Sequence, residues 1–400
     1  MVSRRDILRA ASVGTIVTSL PRWAFAATES DARFVLVILR GAADGLAVAA
    51  PYGDPNYRKV RGELALPDPG QPDGLLKLDN TFGLHPSLAG VYSEFGKDQA
   101  LIVHAVASPY RSRSHFDGQD VLENGAANVG LLRDGWLNRA LAPLGGSLGN
   151  EAAIAMAQNT PLVLRGDNSV TSWAPSQLPD ADDSTLRRLQ DMYADDEFFA
   201  TRLVQALKSQ EIANSESSMQ QMRSRGNDAQ QLQTMMQATA RFLTAEEGPR
   251  IAVLEASGWD THANQGTTNG ALANRLGGLD AGLMTLRDEL GKTWSKTVVA
   301  VVTEFGRTVA VNGTRGTDHG TASAAILLGG AVNGGRVIAD WPGLGKSDMY
   351  QERDLMPTND MRSMFKGVLS EHLSIADATL NRSVFPGSAS APAMQNLIRG

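Results

Sequence analysis

The sequence predicts an α/β protein with a mostly parallel central sheet, helices on both faces and a helical insert over about residues 180–248. Short apolar runs rich in β-branched residues recur along the chain, as is typical of strands buried on both faces. These runs occupy residues 34–39, 100–106, 251–255, 297–303 and 324–328. Leucines spaced three to four apart over residues 270–294 indicate an amphipathic helix between two runs. The alternation of such strands and helices is typical of α/β sheets.

Residues 180–248 interrupt this alternation. The segment contains no proline and is polar and rich in Gln and Met. We expect two or three helices there, forming an insert or cap over the sheet. No internal repeat and no clean linker divides the rest, so we predict one α/β domain over residues 27–400.

The composition limits the chemistry that the chain can perform. Of 400 residues, 42% are hydrophobic and 20% are charged, which is ordinary for a globular protein. There is no cysteine, which excludes disulfides, thiolate metal ligands and a cysteine nucleophile. Any metal must therefore be held by the six histidines, by carboxylates or by other oxygen atoms.

The first 26 residues predict a twin-arginine export signal. Arg4 and Arg5 precede an apolar stretch that ends near Leu20, and a small-x-small cleavage pattern ends at Ala26. The stretch is too short to span a bilayer, and no other segment is long enough. We therefore expect a periplasmic or secreted protein without a membrane span.

Without this signal the chain is more acidic. The first 26 residues carry a net charge of +3, so the remaining 374 residues carry −9, against −6 for the whole chain. An acidic body without a run of Lys or Arg argues against binding to nucleic acid or to an anionic membrane surface.

Reactive side chains follow the ends of the predicted strands. Ligands of open α/β sheets bind at the carboxyl ends of the strands. The residues found there, in chain order, are Asp44, Ser114, His115, Asp260, His262, Glu304, Arg307, Asp318 and His319. This edge of the sheet is therefore the predicted functional site.

Two Asp–His pairs in this set predict a metal site. Asp260 and His262 are two residues apart, so they point the same way in extended backbone. Asp318 and His319 are adjacent and can converge only in an irregular, glycine-flanked loop. Each pair alone is more often a hydrogen-bonded couple, but two pairs together with Asp44 favour one or two divalent ions, Zn²⁺ or Mn²⁺.

Ser114 is the candidate nucleophile. It precedes an apparent helix that begins at His115, so it could attack an anionic ester bound at the helix N-terminus, or it could serve only as the N-cap. Arg307, like Arg40 and Arg113, is a candidate to hold anionic oxygens. A metal-independent serine esterase is disfavoured, because the Gly-x-Ser-x-Gly pattern occurs only at residues 145–149 and does not follow one of the apolar runs, as a nucleophile at a strand end would require.

Six short motifs together resemble one family. They are LRGAADGL at 39–46, FGLHP at 82–86, RSHFD at 113–117, GWDTHANQ at 258–265, TEFGRT at 303–308 and GTDHG at 316–320. As a set they resemble the twin-arginine-exported domain of unknown function fifteen-oh-one, a family grouped with the alkaline phosphatases and sulfatases. The resemblance covers nearly all of the chain after the signal and implies an alkaline phosphatase-like fold.

The resemblance implies roles for individual residues. Asp44 resembles the first-strand metal ligand of that superfamily and Ser114 its nucleophile. Asp318 and His319 resemble the remaining ligands of the first ion.

Asp260 and His262 resemble two ligands of a second ion. Their spacing is two, where the phosphatases of the superfamily usually have four. The second site is therefore altered, completed by His115, or empty. Ser114 also lacks the sequence context of sulfatase residues that mature to formylglycine.

These observations lead to one main hypothesis. The chain is an exported metal-dependent hydrolase or transferase that acts on a phosphate or sulfate ester, carried by a small molecule or a polymer, with Ser114, His115 and Arg307 in catalysis. The alternative is a non-catalytic, metal-bearing partner or scaffold that works with a second exported protein in envelope or surface assembly.

Overall fold

A computed structural model describes residues 31–145, 152–175, 183–193, 196–213 and 228–400. The predicted export signal at 1–26 lies outside these ranges and remains a prediction, as does the domain boundary at residue 27. None of the helices in the described ranges is long and apolar enough to cross a membrane.

The strands form one large and one small sheet. In chain order they are β1 (Arg33–Arg40), β2 (Ala49–Ala50), β3 (Leu76–Lys77), β4 (Gly83–Leu84), β5 (Ala100–Ala107), β6 (Ala153–Ala155), β7 (Thr171–Ser172), β8 (Ile251–Ser257), β9 (Thr297–Thr303), β10 (Ser323–Leu328), β11 (Arg336–Ile338) and β12 (Asn359–Asp360). The large sheet has the order β11-β5-β10-β9-β1-β8-β6-β7, and β12 also pairs with β5. The small sheet has the order β2-β4-β3.

The large sheet is mostly parallel, which confirms the predicted fold class. β1 pairs in parallel with both β8 and β9, and β6, β7, β11 and β12 also pair in parallel. β10 is the exception, because it runs antiparallel to β5 and β9. The loop from β9 to β10 therefore leaves and re-enters the sheet at the edge where β1 and β8 end.

The helices cover both faces of this sheet. They are α1 (Gly45–Val48), α2 (Tyr57–Arg61), α3 (Ala89–Phe95), α4 (His115–Asn124), α5 (Trp136–Leu144), α6 (Asp183–Tyr193), α7 (Glu197–Ala213), α8 (Asp228–Thr244), α9 (Ala271–Leu290), α10 (Met361–Leu373) and α11 (Asp377–Thr379). Short 3-10 turns lie at Gly62–Leu64, Pro86–Leu88, Leu162–Leu164, Gly291–Lys296 and Lys346–Asp348, and a π turn at Leu380–Val384.

Two apolar layers sandwich the central strand. Val35 and Val37 of β1 belong to the core that contains the leucines of α9. Phe34 and Leu36 belong to the opposite core, which includes residues of α5 and α10. Because successive strand residues face opposite sides, a continuous apolar run is what a doubly covered strand requires.

The described parts of the segment 180–248 contain the three helices α6, α7 and α8. α8 packs along α9, where Gln233 donates to Thr285 at 3.0 Å and Gln237 donates to Glu289 at 2.9 Å. Met236 is fully buried in this contact. The helix α8 therefore packs against both α9 and the strand β8.

His104 on β5 is fully buried and neutral. Its Nε2 lies 2.8 Å from the Ala49 carbonyl, and its Nδ1 accepts from the backbone N–H of Ala105 at 2.8 Å. Burial lowers the pKa of His104 to about 4, and the hydrogen bond to Ala49 only partly offsets this effect. Phe82 stacks on the ring. The neutral imidazole therefore uses both ring nitrogens in hydrogen bonds, because Nε2 donates to a carbonyl and Nδ1 accepts from an N–H.

This histidine should make the fold sensitive to acid. The unfolded chain takes up a proton near the ordinary pKa of 6.5, whereas the folded chain does so only near 4. Stability is therefore lost as the pH falls between these two values, by about 2 kcal/mol at about pH 5. In His104→Gln, urea unfolding should show a smaller loss of stability between about pH 7.5 and pH 5, by about that amount. An equal loss in both proteins would contradict the assignment.

Candidate metal centre

Three strand ends and one helix start meet at one edge of the large sheet. β1 leads into Gly41, β8 leads into Asp260, and β9 leads directly into Glu304. The loop after β5 leads into Ser114 at the start of α4. These segments were the ones predicted to carry the site.

Gly41 allows this close approach. Its φ of 119° is in the region that favours glycine, and a Cβ there would lie 2.6 Å from the backbone nitrogen of Asp260. Its N–H donates to Glu304 Oε1 at 2.9 Å. The end of β1 is therefore pressed between the segments that follow β8 and β9.

Ser114 is the N-cap residue of α4, as predicted, but its side chain makes no capping hydrogen bond. Its backbone N–H donates to the Tyr110 hydroxyl at 3.0 Å. The preceding residue, Arg113, has a φ of 65°, an uncommon conformation for a residue with a side chain. The backbone is thus turned sharply just before the helix.

His115, Asp260 and His319 form a compact cluster. Each offers one ligand atom, and these atoms lie within 4.8 Å of one another. Asp260 Oδ1 lies 3.3 Å from His319 Nε2, and Asp260 Oδ2 lies 3.4 Å from His115 Nε2. Among the described residues, no other group of three or more His or carboxylate side chains meets this criterion.

His262 contacts two members of the cluster. Its Nε2 lies 3.1 Å from Asp260 Oδ1 and 3.0 Å from His319 Nε2. The predicted pair of Asp260 and His262 therefore faces a common point, and His319 joins it there.

The other ring nitrogen of each histidine is oriented by an acceptor. His115 Nδ1 lies 2.8 Å from Glu304 Oε1, and His319 Nδ1 lies 2.9 Å from the Arg113 carbonyl. His262 Nδ1 lies 3.2 Å from an oxygen of Asp318. With the proton on Nδ1 in each ring, all three Nε2 atoms present lone pairs to the cluster.

The charges around the cluster affect its protonation. The hydrogen bond to Glu304 raises the pKa of His115, although burial opposes the shift. Burial lowers the pKa of His319 below its ordinary value. Burial would raise the pKa of Asp260, but the hydrogen bond and charge of Arg307 outweigh it, so that pKa is lowered. Asp260 is therefore a carboxylate at neutral pH.

The donor set fits a divalent metal ion. Nitrogen and oxygen ligands about 2.0–2.2 Å from a tetrahedral ion lie about 3.3–3.5 Å from one another. The imidazole–carboxylate distances of 3.1–3.4 Å and the distance of 3.0 Å between the Nε2 atoms of His262 and His319 are close to this range. His115 Nε2 is buried and has no hydrogen-bond partner, which is what a ligand atom requires. Acceptors on the Nδ1 atoms are the usual outer support of such ligands.

The structure does not bring Asp44 into this cluster. Asp44 Oδ2 accepts from Arg61 at 2.5 Å and from Gln265 at 2.7 Å, and Oδ1 accepts from the N–H of Leu46 at 3.2 Å. The residue is 1% exposed and caps α1. Its oxygens are therefore engaged by protein donors rather than directed at the histidines.

Asp318 and Arg307 also take places other than those expected. Asp318 supports His262 from outside the cluster and accepts from Asn312 at 3.0 Å, so it diverges from the adjacent His319. Arg307 is 1% exposed and donates to Asp260 at 2.5 Å. Its guanidinium is therefore occupied inside the protein.

The sequence placed Glu304 at a strand end without giving it a role. In the structure this fully buried carboxylate accepts from Gly41, His115 and Gln119. The sequence did contain a clue, since Glu304 directly follows an apolar strand. A carboxylate buried at such a position needs hydrogen-bond partners.

The fold and cluster define the class, an α/β protein with a histidine–carboxylate cluster at the carboxyl ends of its central strands. The chain belongs to the family described as "Protein of unknown function (DUF1501)", which matches residues 31–384. No match is found among curated proteins.

Several solved structures are similar to the chain at low identity. The C-terminal periplasmic domain of EcEptC from Escherichia coli in complex with Zn is 11% identical, with 76% of this chain and 74% of that chain covered and a TM-score of 0.35. The phosphonate monoester hydrolase of Agrobacterium radiobacter is 9% identical, with 85% and 73% covered and a TM-score of 0.38. Ps i-CgsB in complex with k-i-k-neocarrahexaose is 9% identical, with 90% and 77% covered and a TM-score of 0.43.

Removal of one imidazole should abolish tight metal binding. We expect the purified protein to bind Zn²⁺ near stoichiometrically and His319→Ala to bind it at least about 100-fold more weakly, because a ligand atom is lost. Isothermal titration and elemental analysis measure this. Asp288→Asn, at an exposed carboxylate on α9, should bind like the parent protein. Equal affinity in all three proteins would rule out the cluster as the site.

The charge of Glu304 should control the protonation of His115 in the metal-free protein. NMR titration of the imidazole C2–H signals should give a pKa above 6.5 for His115 and below 6.5 for His319. In Glu304→Gln the pKa of His115 should fall, because the amide can accept the same hydrogen bond but carries no charge. A His115 pKa that is the same in both proteins would show that Glu304 does not set it.

Proposed function

We propose that this protein is an exported metal-dependent hydrolase or transferase that acts on a phosphate or sulfate ester through Ser114. One observation carries the proposal. The Ser114 hydroxyl makes no capping bond and stands at the start of α4, directly before His115, whose Nε2 belongs to the cluster. A hydroxyl, a helix N-terminus and a candidate metal site thus lie close together in the chain.

The start of α4 is suited to an anionic group. The first turn of a helix presents backbone N–H groups without intrahelical partners, and the helix dipole adds positive potential there. The Gly118 N–H donates to the Ser114 carbonyl at 2.8 Å and forms the first helical hydrogen bond. The N–H groups of His115 and Phe116 precede this bond, so they have no carbonyl partner within the helix. These N–H groups would hold the oxygens of a phosphoryl or sulfuryl group.

The backbone before Ser114 is held rigidly. Tyr110 fixes the Ser114 N–H, and the Arg113 carbonyl accepts the proton of His319 Nδ1. The Arg113 side chain donates to Asp354 at 2.7 Å. The nucleophile is therefore tied to the cluster through the residue that precedes it.

The reaction would proceed in two displacements. In the first, Ser114 Oγ forms a bond to phosphorus or sulfur and loses its proton, while the ester oxygen leaves and gains a proton. In the second, water or an acceptor alcohol attacks the seryl ester and releases Ser114. Water gives a hydrolase and an alcohol gives a transferase. His115, Asp260 and His319 would hold a divalent ion, which would supply Lewis acidity and offset the charge of the ester.

The donor set favours Zn²⁺ over Mn²⁺. Zinc suits a set made of the His115 and His319 imidazoles and the Asp260 carboxylate, with the His262 imidazole beside them, whereas manganese prefers more oxygen ligands. We propose one ion at the cluster of His115, Asp260 and His319. The Arg4–Arg5 pair of the predicted signal supports export through the twin-arginine route.

One observation favours the alternative of a non-catalytic, metal-bearing partner of a second exported protein. The three arginines expected to hold an anionic ester are each paired with an acidic side chain. The pairs are Arg40 with Glu123, Arg113 with Asp354 and Arg307 with Asp260. Substrate binding would then depend on the helix N–H groups and the ion rather than on these arginines.

The serine variant separates these functions. Ser114→Ala should lower turnover of aryl phosphate or aryl sulfate esters at least about a thousandfold and leave metal binding unchanged, because only the attacking oxygen is lost. Ser112→Ala, two residues earlier and exposed, is the matched control and should keep full turnover. Unchanged turnover in Ser114→Ala removes this residue from the mechanism. A parent protein that binds metal but turns over no ester supports the partner function.

A further inference from the structure

A buried chain of hydrogen bonds leads from Asp44 to the candidate metal-ligand cluster of His115, Asp260 and His319. It begins with the ion pair between Asp44 and Arg61, whose side chains are 1% and 0% exposed. An unpaired buried carboxylate would cost several kcal/mol, so the pair must persist in the folded protein. The fixed negative charge of Asp44 then orients the next residue in the chain.

That next residue is Gln265, which is fully buried. Its Nε2 donates to Asp44 Oδ2 at 2.7 Å. A carboxylate can only accept, so the amide is held in one of its two orientations. Gln265 Oε1 must then face the hydroxyls of Thr261 and Thr317, which donate to it at 2.7 and 2.8 Å.

Thr317 in turn orients the side chain of Arg307. Because the Thr317 hydroxyl gives its proton to Gln265, its lone pairs accept from Arg307 Nε at 3.1 Å. The Thr317 carbonyl also accepts from Arg307 Nη2. The free end of the guanidinium, Nη1, donates to Asp260 Oδ1 at 2.5 Å. Asp260 is the carboxylate of the cluster.

We propose that Asp44 is a positioning residue that acts through Gln265, Thr317 and Arg307 to fix the carboxylate of Asp260 for metal binding. The inference rests on the metal centre of the proposed function, and it gives Asp44 a role other than that of a ligand. Arg307 likewise positions a ligand rather than contacting substrate.

Between Arg307 and Asp44 every hydrogen bond is donated towards Asp44, and Arg307 also donates in the opposite direction, to Asp260. Arg61 and Gln265 donate to Asp44, Thr317 donates to Gln265, and Arg307 donates to Thr317. Each donor is oriented by the acceptor on its Asp44 side. If one side chain turned round, a neighbouring polar group would lose its hydrogen-bond partner. A buried group without a partner costs about 1–3 kcal/mol, which keeps the chain in this one arrangement.

Thr317 is the best residue for the test. Asp44→Asn would leave Arg61 buried beside a neutral group and could unfold the protein, whereas Thr317→Val removes one hydroxyl and keeps the shape. Thr317→Ser restores the hydroxyl and serves as the conservative variant. Thr239→Val is the matched control, because its hydroxyl is also buried and donates to a backbone carbonyl, at 2.7 Å, but it lies on α8 outside the network.

The probe is Co²⁺, whose visible absorption reports the geometry of its ligands. We expect Thr317→Val to bind Co²⁺ about 10- to 100-fold more weakly and with an altered spectrum, as for other losses of outer support. Thr317→Ser should recover the parent affinity and spectrum. Thr239→Val should bind Co²⁺ like the parent protein. Parent-like affinity and spectrum in Thr317→Val would overturn the inference.

A metal-free measurement separates this inference from the metal centre itself. In the ¹H–¹⁵N spectrum of the metal-free protein, the Arg307 Nε–H signal should shift and exchange faster with water in Thr317→Val and return to its original position in Thr317→Ser. An unchanged signal in Thr317→Val would show that Thr317 does not hold Arg307. If the parent protein binds no Co²⁺, the metal centre fails, while this signal still tests the hydrogen-bonded chain.

Discussion

The buried carboxylate of Glu304 is the constraint on which the site depends. It is fully buried and accepts from the end of β1 through Gly41, from α4 through His115, and from Gln119 one turn further along that helix. Glu304 itself follows β9 directly. Because a buried charge must be fully paired, these elements have to meet in one arrangement. That arrangement directs His115 Nε2 towards Asp260.

Much of the fold could be predicted from the sequence, because a strand buried on both faces is a continuous run of apolar residues. The apolar runs at 34–39 and 297–303 correspond to β1 and β9, which lie side by side in the middle of the sheet. The direction of β10 could not be predicted, since its run is as apolar as the others. Direction depends on where the preceding loop turns, and that loop carries polar residues whose partners are distant in sequence.

The candidate site could likewise be predicted only in part from the sequence. The sequence could predict that Asp260, His262 and His319 would lie near one another, because strand ends share an edge. It could not predict that Asp44 would be paired with Arg61, since that contact depends on how the loop after α1 folds back. Adjacent residues such as Asp318 and His319 can converge or diverge in an irregular loop, and only the backbone decides which.

The antiparallel direction of β10 has a consequence for the coupling of metal binding to folding. The β9–β10 loop brings His319 back to the sheet edge, whereas His115 and Asp260 arrive from α4 and from the end of β8. Residues so far apart in sequence come together only in the native chain. An ion bound by all of them would therefore be released on unfolding, and each tenfold rise in its free concentration above the dissociation constant would stabilise the fold by about 1.4 kcal/mol.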